Sequence, residues 1–216
     1  MGRRGSYGPS KAQHRWKCDV GDDLWCAVMN PEHIELCSSE GWRDMLRELI
    51  MPWALGTADL GDDVLEVGPG PGMTTGLLAG RVVALTAVEI DAVLAARLAD
   101  HFTGTNVDVV HADATDLPFE DGRFTGAVSF TMLHHVPSAE LQDRLFTEVA
   151  RVLRPGGLFI ASDSVASDEL AALHHDDIYN PVDPTGLEAR FTASGFDSTV
   201  VKVNDFGWAV TAHRTM

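Results

Sequence analysis

Two rhythms of apolar positions alternate along the chain from residue 60 onward. Val64 to Val67, Val82 to Val88, Val107 to Val110, Phe124 to Phe130 and Leu158 to Ala161 are short apolar runs rich in β-branched residues. Runs of that length and composition read as buried strands. Between them the period lengthens to that of helices. Met73 to Leu78 can start one. Asp91 to His101 carries Val93, Leu94 and Leu98 on one side. Ser138 caps another that bears Leu141, Leu145, Val149 and Val152, and Pro155-Gly156-Gly157 stops it. Strands alternating with helices at short spacing predict a parallel sheet covered on both faces.

The two ends depart from this alternation. Glu40 to Leu55 places Trp42, Met45, Leu46, Leu49, Ile50 and Trp53 at helical spacing, with Ser38 or Ser39 as cap. Pro52 is expected to kink or end that helix. Trp42 and Trp53 offer large flat surfaces, for the core first and for a ligand second. Near the other end, Pro184 to Ser194 reads as a helix closed by Gly195. Ser198 to Val203 and Phe206 to His213 then read as strands joined through Asn204-Asp205. So short a connection forces antiparallel pairing. The predicted organisation is an N-terminal arm (1–28), a helical cap (29–60), a core (61–163), and a lid segment with a C-terminal hairpin (164–216).

Composition narrows the picture. A chain of 216 residues with 45% hydrophobic content suits one soluble α/β domain. No apolar run approaches the roughly 20 residues of a membrane span, and no apolar segment follows the basic start, so a cytoplasmic protein without a secretory signal is expected. The three cysteines, Cys18, Cys26 and Cys37, are odd in number and form no Cys-x-x-Cys pair. A zinc site joining them to His14 or His33 fits no common spacing, so reduced thiols are expected instead. The formal net charge of −16 works against nucleic-acid partners. Residues 1–18 alone are basic, with Arg3, Arg4, Lys11, Arg15 and Lys17 and no acid. They read as a disordered tail. Met29 opens more ordinary sequence, so residues 1–28 are also open to being an upstream start-codon choice.

In an open α/β sheet, ligands bind beyond the carboxyl ends of the strands. The polar residues at those ends are therefore the candidate site. The first strand runs into Glu66-Val67-Gly68-Pro69-Gly70-Pro71-Gly72, a glycine turn that lets a ligand approach bare backbone. The dinucleotide fingerprint would place a third glycine at 73, where Met73 stands. That disfavours the alternative of an NAD-dependent oxidoreductase. Glu89 ends the second strand about twenty residues on, where a carboxylate can accept both hydroxyl hydrogens of a ribose. Asp91 reads as the cap of the following helix. Asp113 follows the third strand and can accept from an adenine amine while the Ala114 N–H donates. Ile90 and Leu117 are candidates to sandwich the base. Ser129, Thr131, His134 and His135 follow the fourth strand, and Ser162 and Asp163 the fifth.

The segments Glu66 to Gly72, Val88-Glu89-Ile90-Asp91, Asp113 to Phe119 and Val149 to Gly157 together resemble the motifs of class I S-adenosylmethionine-dependent methyltransferases, in the same order and at the same spacing. Met132-Leu133-His134-His135-Val136-Pro137 is similar to the ubiquinone and menaquinone methyltransferase subgroup. The resemblance covers residues 60–163 and, more loosely, the hairpin. It implies a Rossmann-like, seven-stranded, mostly parallel sheet with an antiparallel C-terminal hairpin. It also implies S-adenosylmethionine as methyl donor and S-adenosylhomocysteine as product. The implied cofactor contacts are Glu66, Gly68, Pro69, Gly70, Gly72, Glu89, Ile90, Asp113, Ala114 and Ser129.

The acceptor does not transfer with the motifs. The Asp/Asn-Pro-Pro-Tyr/Phe motif of amino-group nucleic-acid methyltransferases is absent after strand four. No cysteine beyond residue 37 is present to act as a cytosine-5 nucleophile. A small-molecule acceptor is therefore expected. His134 and His135 are the catalytic candidates, since an imidazole can deprotonate an acceptor near neutral pH. Adjacent side chains diverge, so one at most is expected to face it, and positioning is expected to carry the reaction. Asp163 is the one carboxylate available to orient either ring. No metal site is expected. His174-His175-Asp176-Asp177 is the candidate sequence, but neighbours on a helix point about 100° apart. A non-catalytic S-adenosylmethionine-binding protein is the second alternative, and the oligomeric state is not readable from sequence.

Overall fold

The apolar runs form a single seven-stranded sheet in the computed structural model, which describes residues 29–216. The basic arm, with His14, Cys18 and Cys26, lies outside the described residues. Strands β1 (Asp63–Val67), β2 (Ala84–Glu89), β3 (Val107–His111), β4 (Phe124–Phe130) and β5 (Leu153–Ser164) are parallel. β6 (Phe196–Val203) and β7 (Gly207–Arg214) make the hairpin, and β7 runs antiparallel to both β5 and β6. The order is β3-β2-β1-β4-β5-β7-β6. It reverses direction between β1 and β4, which opens a crevice at their carboxyl ends.

Helices cover both faces because every central strand is buried on both sides. On one face, α6 (Ala139–Val152) and α8 (Leu187–Ala193) pack Phe146 and Phe191 against Phe159 and Phe196. Their ring centroids lie 4.6 to 6.5 Å apart, the range of favourable edge and offset contacts. On the other face, α3 (Met51–Leu55), α4 (Met73–Ala79) and α5 (Ala92–His101) deliver Met51, Leu78 and Leu98 to a second core layer.

Two local features go beyond the sequence pattern. Pro52 does not end its helix. The chain runs from α2 (Glu40–Met45) through a π-helical turn at Leu46–Ile50 directly into α3. Pro52 has no N–H to give, and a wider turn just before it accommodates the missing bond. Met51 N–H accordingly donates back to Leu46. Helix α1 (Pro31–Cys37) is additional. Asn30 caps it by accepting from His33 N–H at 2.9 Å, and Pro31 supplies a first position with no donor to satisfy. The same Asn30 side chain donates to the carbonyls of Leu173 at 2.7 Å and His175 at 3.1 Å. It fastens α1 to the end of α7 (Asp168–Leu173).

Candidate active site

The chain leaves β1 through Gly68, Gly70 and Gly72, all at positive φ (68°, 52° and 87°). A side chain at 72 would meet Leu98 Cδ2 at 2.3 Å, whereas a Cβ at 70 would point into open space. Gly72 lets helix α5 pack closely, and Gly70 leaves backbone bare to a ligand. Glu89 secures this turn. Its Oε2 accepts from Gly70 N–H at 3.0 Å and its Oε1 from Asp91 N–H at 2.9 Å. Burial pushes its carboxyl above the usual range, against the pull of those two N–H groups. Asp91 caps α5 by accepting from Val93 and Leu94 N–H, as expected of it. Asp113 accepts from Thr115 N–H at 2.8 Å through Oδ1, which fixes the turn after β3.

Gly68, Pro69, Gly70, Glu89, Ile90, Asp113 and Ala114 line one cleft. Glu66, Gly72 and Ser129 stand behind its wall. Glu66 is 1% exposed, takes the Thr74 hydroxyl on Oε1, and has its carboxyl raised by burial to about 7. Ser129 is fully buried and its hydroxyl has no partner among the described residues. Gly72 faces a neighbouring groove on the α5 side. Leu117 belongs to the core, so of the expected pair only Ile90 borders the cleft. Past the strand ends the same cleft becomes apolar, walled by Trp42, Leu46, Met132, Val136, Leu141 and Leu145. Trp42 thus faces the cavity, while Trp53 packs on the core. Thr131 also borders it, held at φ 52° just past β4. Such strain in a residue with a Cβ marks a site that its surroundings over-determine.

The two histidines after β4 do not diverge. They share a single 3₁₀ turn (Leu133–His135), and their rings sit 4.2 Å apart between centroids. His135 borders the cleft, and His134 lies behind it. The expected orienter is in place. Asp163 accepts from His134 Nδ1–H at 2.7 Å and from His134 backbone N–H at 2.9 Å. His33 of α1 and His174, just past α7, complete a group of four imidazoles. His174 and His175 do point apart, His174 buried and His175 exposed. Their divergence is as read, and what His174 meets instead is histidines from other segments. The Asn30-Pro31 pair, a cap followed by proline, was the signal for α1 and hence for His33.

Residues 65–161 match the methyltransferase domain family. The core of the chain is a methyltransferase domain. It is similar to a sterol methyltransferase-like protein of Botryococcus braunii, 38% identical over 112 residues, 49% of this chain and 27% of that one. It is similar also to a fatty-acid O-methyltransferase of Mycolicibacterium smegmatis, 36% identical over 108 residues, 48% of this chain and 38% of that one. The matched stretch thus spans well under half of these relatives. In fold, it resembles the crystal structure of a SAM-dependent methyltransferase from Aquifex aeolicus. The TM-score is 0.68 at 16% identity, covering 87% of this chain and all of the other. The mostly parallel sheet with its antiparallel hairpin is the fold that the sequence resemblance implied.

Proposed function

We propose that the protein transfers the methyl group of S-adenosylmethionine to a small, largely apolar molecule through an oxygen, nitrogen or carbon nucleophile. The observation that carries this is one continuous cleft with a polar half and an apolar half. The polar half holds the bare Gly70 backbone, the Glu89 carboxylate and the Asp113 carboxylate. That set fits the donor. Glu89 keeps lone pairs for the ribose hydroxyls beyond its two N–H partners, Asp113 Oδ2 is available to the adenine amine, and Ile90 offers a face to the base.

The donor, when bound, supplies an electrophilic methyl on a sulfonium. The protein's own task is to hold the acceptor in line and dry. Trp42, Leu46, Met132 and Leu145 form a wall suited to an apolar acceptor body. The sterol methyltransferase-like protein and the fatty-acid O-methyltransferase among the relatives fit that chemistry. The net charge of −16 supports a small molecule over nucleic acid. The donor half of the proposal is tested by melting with S-adenosylhomocysteine and with NAD. S-adenosylhomocysteine at about 100 times its dissociation constant should stabilise by roughly 2.7 kcal/mol, a shift of about 5–10 °C for this size. Glu89→Ala should remove most of it. A shift with NAD and none with S-adenosylhomocysteine would refute the assignment.

A further inference from the structure

His33, His134, His135 and His174 each offer a ring nitrogen, and these four atoms all lie within 4.8 Å of one another. The four come from three separate parts of the chain: α1, the turn after β4, and the end of α7. Three of them have the other ring nitrogen engaged. His134 Nδ1–H donates to Asp163, His33 Nδ1–H to Asp177 at 3.2 Å, and His174 Nδ1–H to the Leu170 carbonyl at 2.6 Å. His135 Nδ1 faces the other oxygen of Asp177 at 3.5 Å. An acceptor on Nδ1 fixes the tautomer that leaves Nε2 bare, and this is the outer-shell arrangement of metal-binding histidines. The Nε2 atoms of His134 and His174 are buried and have no hydrogen-bond partner among the described residues. A bare imidazole nitrogen with nothing to bind is costly in a protein interior.

We propose that the four histidines bind one divalent transition-metal ion. The all-imidazole donor set selects the zinc, nickel, cobalt, copper or iron class over magnesium or calcium, which take oxygen ligands. A tetrahedral ion with bonds of about 2.0–2.1 Å separates its ligand atoms by about 3.3 Å, so closure needs ring shifts of about an ångström. Charge agrees with the geometry. The side chains of Asp163 and Asp177 are fully buried, and no lysine or arginine among the described residues pairs with either. One divalent cation balances both carboxylates.

The segments bearing the ligands are held by bonds that do not involve the rings. Asn30 ties α1 to the end of α7. Gln142 Nε2–H donates to the Leu133 and Asn180 carbonyls, and Asn180 donates to the His134 and Val136 carbonyls. The site is therefore assembled before an ion arrives. Because His135 borders the cleft, the ion sits at the acceptor end and clamps α1 and the end of α7 over it.

The test uses the full chain, purified without a polyhistidine tag. Metal content is measured by mass spectrometry, and chelator-stripped protein is titrated with Co²⁺ and Zn²⁺. The expected result is about one tightly held ion per chain with visible Co²⁺ d–d bands of a nitrogen-ligated, near-tetrahedral centre. His33→Ala and His174→Ala should abolish the bands. Asp177→Asn, which keeps all four ligands, should weaken binding by about 10–100-fold. Circular dichroism checks that each variant is folded, and Asp177→Asn decides the matter if the histidine variants are not. Trace metal with no Co²⁺ bands overturns the proposal, as does binding that all three variants leave unchanged. Neither readout involves methyl transfer, so the outcome is independent of the acceptor assignment.

Discussion

Gly70 and Gly72 share a turn and a left-handed backbone, yet replacing them should have separable effects. Alanine at either position takes on the left-handed conformation at about 1–2 kcal/mol. At 70 nothing more follows, because the added Cβ meets no atom within 4 Å. At 72 the Cβ arrives 2.3 Å from Leu98 Cδ2, and Leu98 is itself only 4% exposed against the second core layer. Overpacking of that kind adds about 1–3 kcal/mol. Gly72→Ala should therefore lose about 2–5 kcal/mol in all, and at about 2–4 °C per kcal/mol for this size it should melt lower by roughly 5–15 °C. Gly70→Ala should melt within a few degrees of the parent but bind S-adenosylhomocysteine at least about tenfold more weakly, 1.4 kcal/mol, since its methyl intrudes on the cleft. Differential scanning calorimetry and a calorimetric titration read the two effects separately. Combining Gly72→Ala with Leu98→Ala should cost less than the sum of the single changes, because the second removes the atom that the first collides with. Equal stability losses at 70 and 72, or unchanged donor affinity in Gly70→Ala, would refute the reasoning.

Glu66 gives a pH signature. Burial raises its carboxyl to about 7 in the folded protein, so the folded state holds a proton that the unfolded chain releases from about pH 4.5 upward. Stability relative to Glu66→Gln should fall by up to about 3 kcal/mol between pH 4.5 and 7 and then level off. Chemical denaturation of both proteins across that range tests this, and parallel curves would contradict it. Arg151 binds the carbonyls of Leu117 and Phe119 together with Asp121 and Glu148. Arg151→Ala should cost about 2–3 kcal/mol and speed amide exchange over residues 117–122, and lysine should not rescue it, since it lacks the planar fork. Asp163 accepts from His134 twice and from Ser164 N–H. Asp163→Asn cannot accept from all three, and should lower stability by about 3–5 kcal/mol. A loss under about 1 kcal/mol would show that the interaction is dispensable.

The strands were legible because each is a short apolar run punctuated by glycine, proline or a capping acid, so local pattern and burial agree. β4 falls on Phe124–Phe130 as read, and Asp91 caps α5 as read. The glycine turn and the acid twenty residues later were legible for the same reason. Their spacing is set by one strand–turn–helix–strand unit. Pro52 marked a disturbance of its helix, and the form that disturbance takes is a π turn just before it rather than an end. The histidine cluster was illegible for a different reason. His33 and His174 lie 141 residues apart, and what joins them is the Asn30 side chain reaching two carbonyls at the end of α7. No local periodicity encodes that contact. The divergence rule for adjacent residues also assumed a regular helix or strand, whereas His134 and His135 occupy one tight 3₁₀ turn that sets their rings side by side.

Methyl transfer itself is most directly tested with S-adenosylmethionine carrying an isotope in its methyl group. The full chain is incubated with a small-molecule and lipid extract, and label is followed into the organic phase, into protein and into nucleic acid. The account predicts label in an apolar small molecule, formed in step with S-adenosylhomocysteine and lost in Glu89→Ala. Donor binding without transfer to any extract, or label entering only macromolecules, would contradict it.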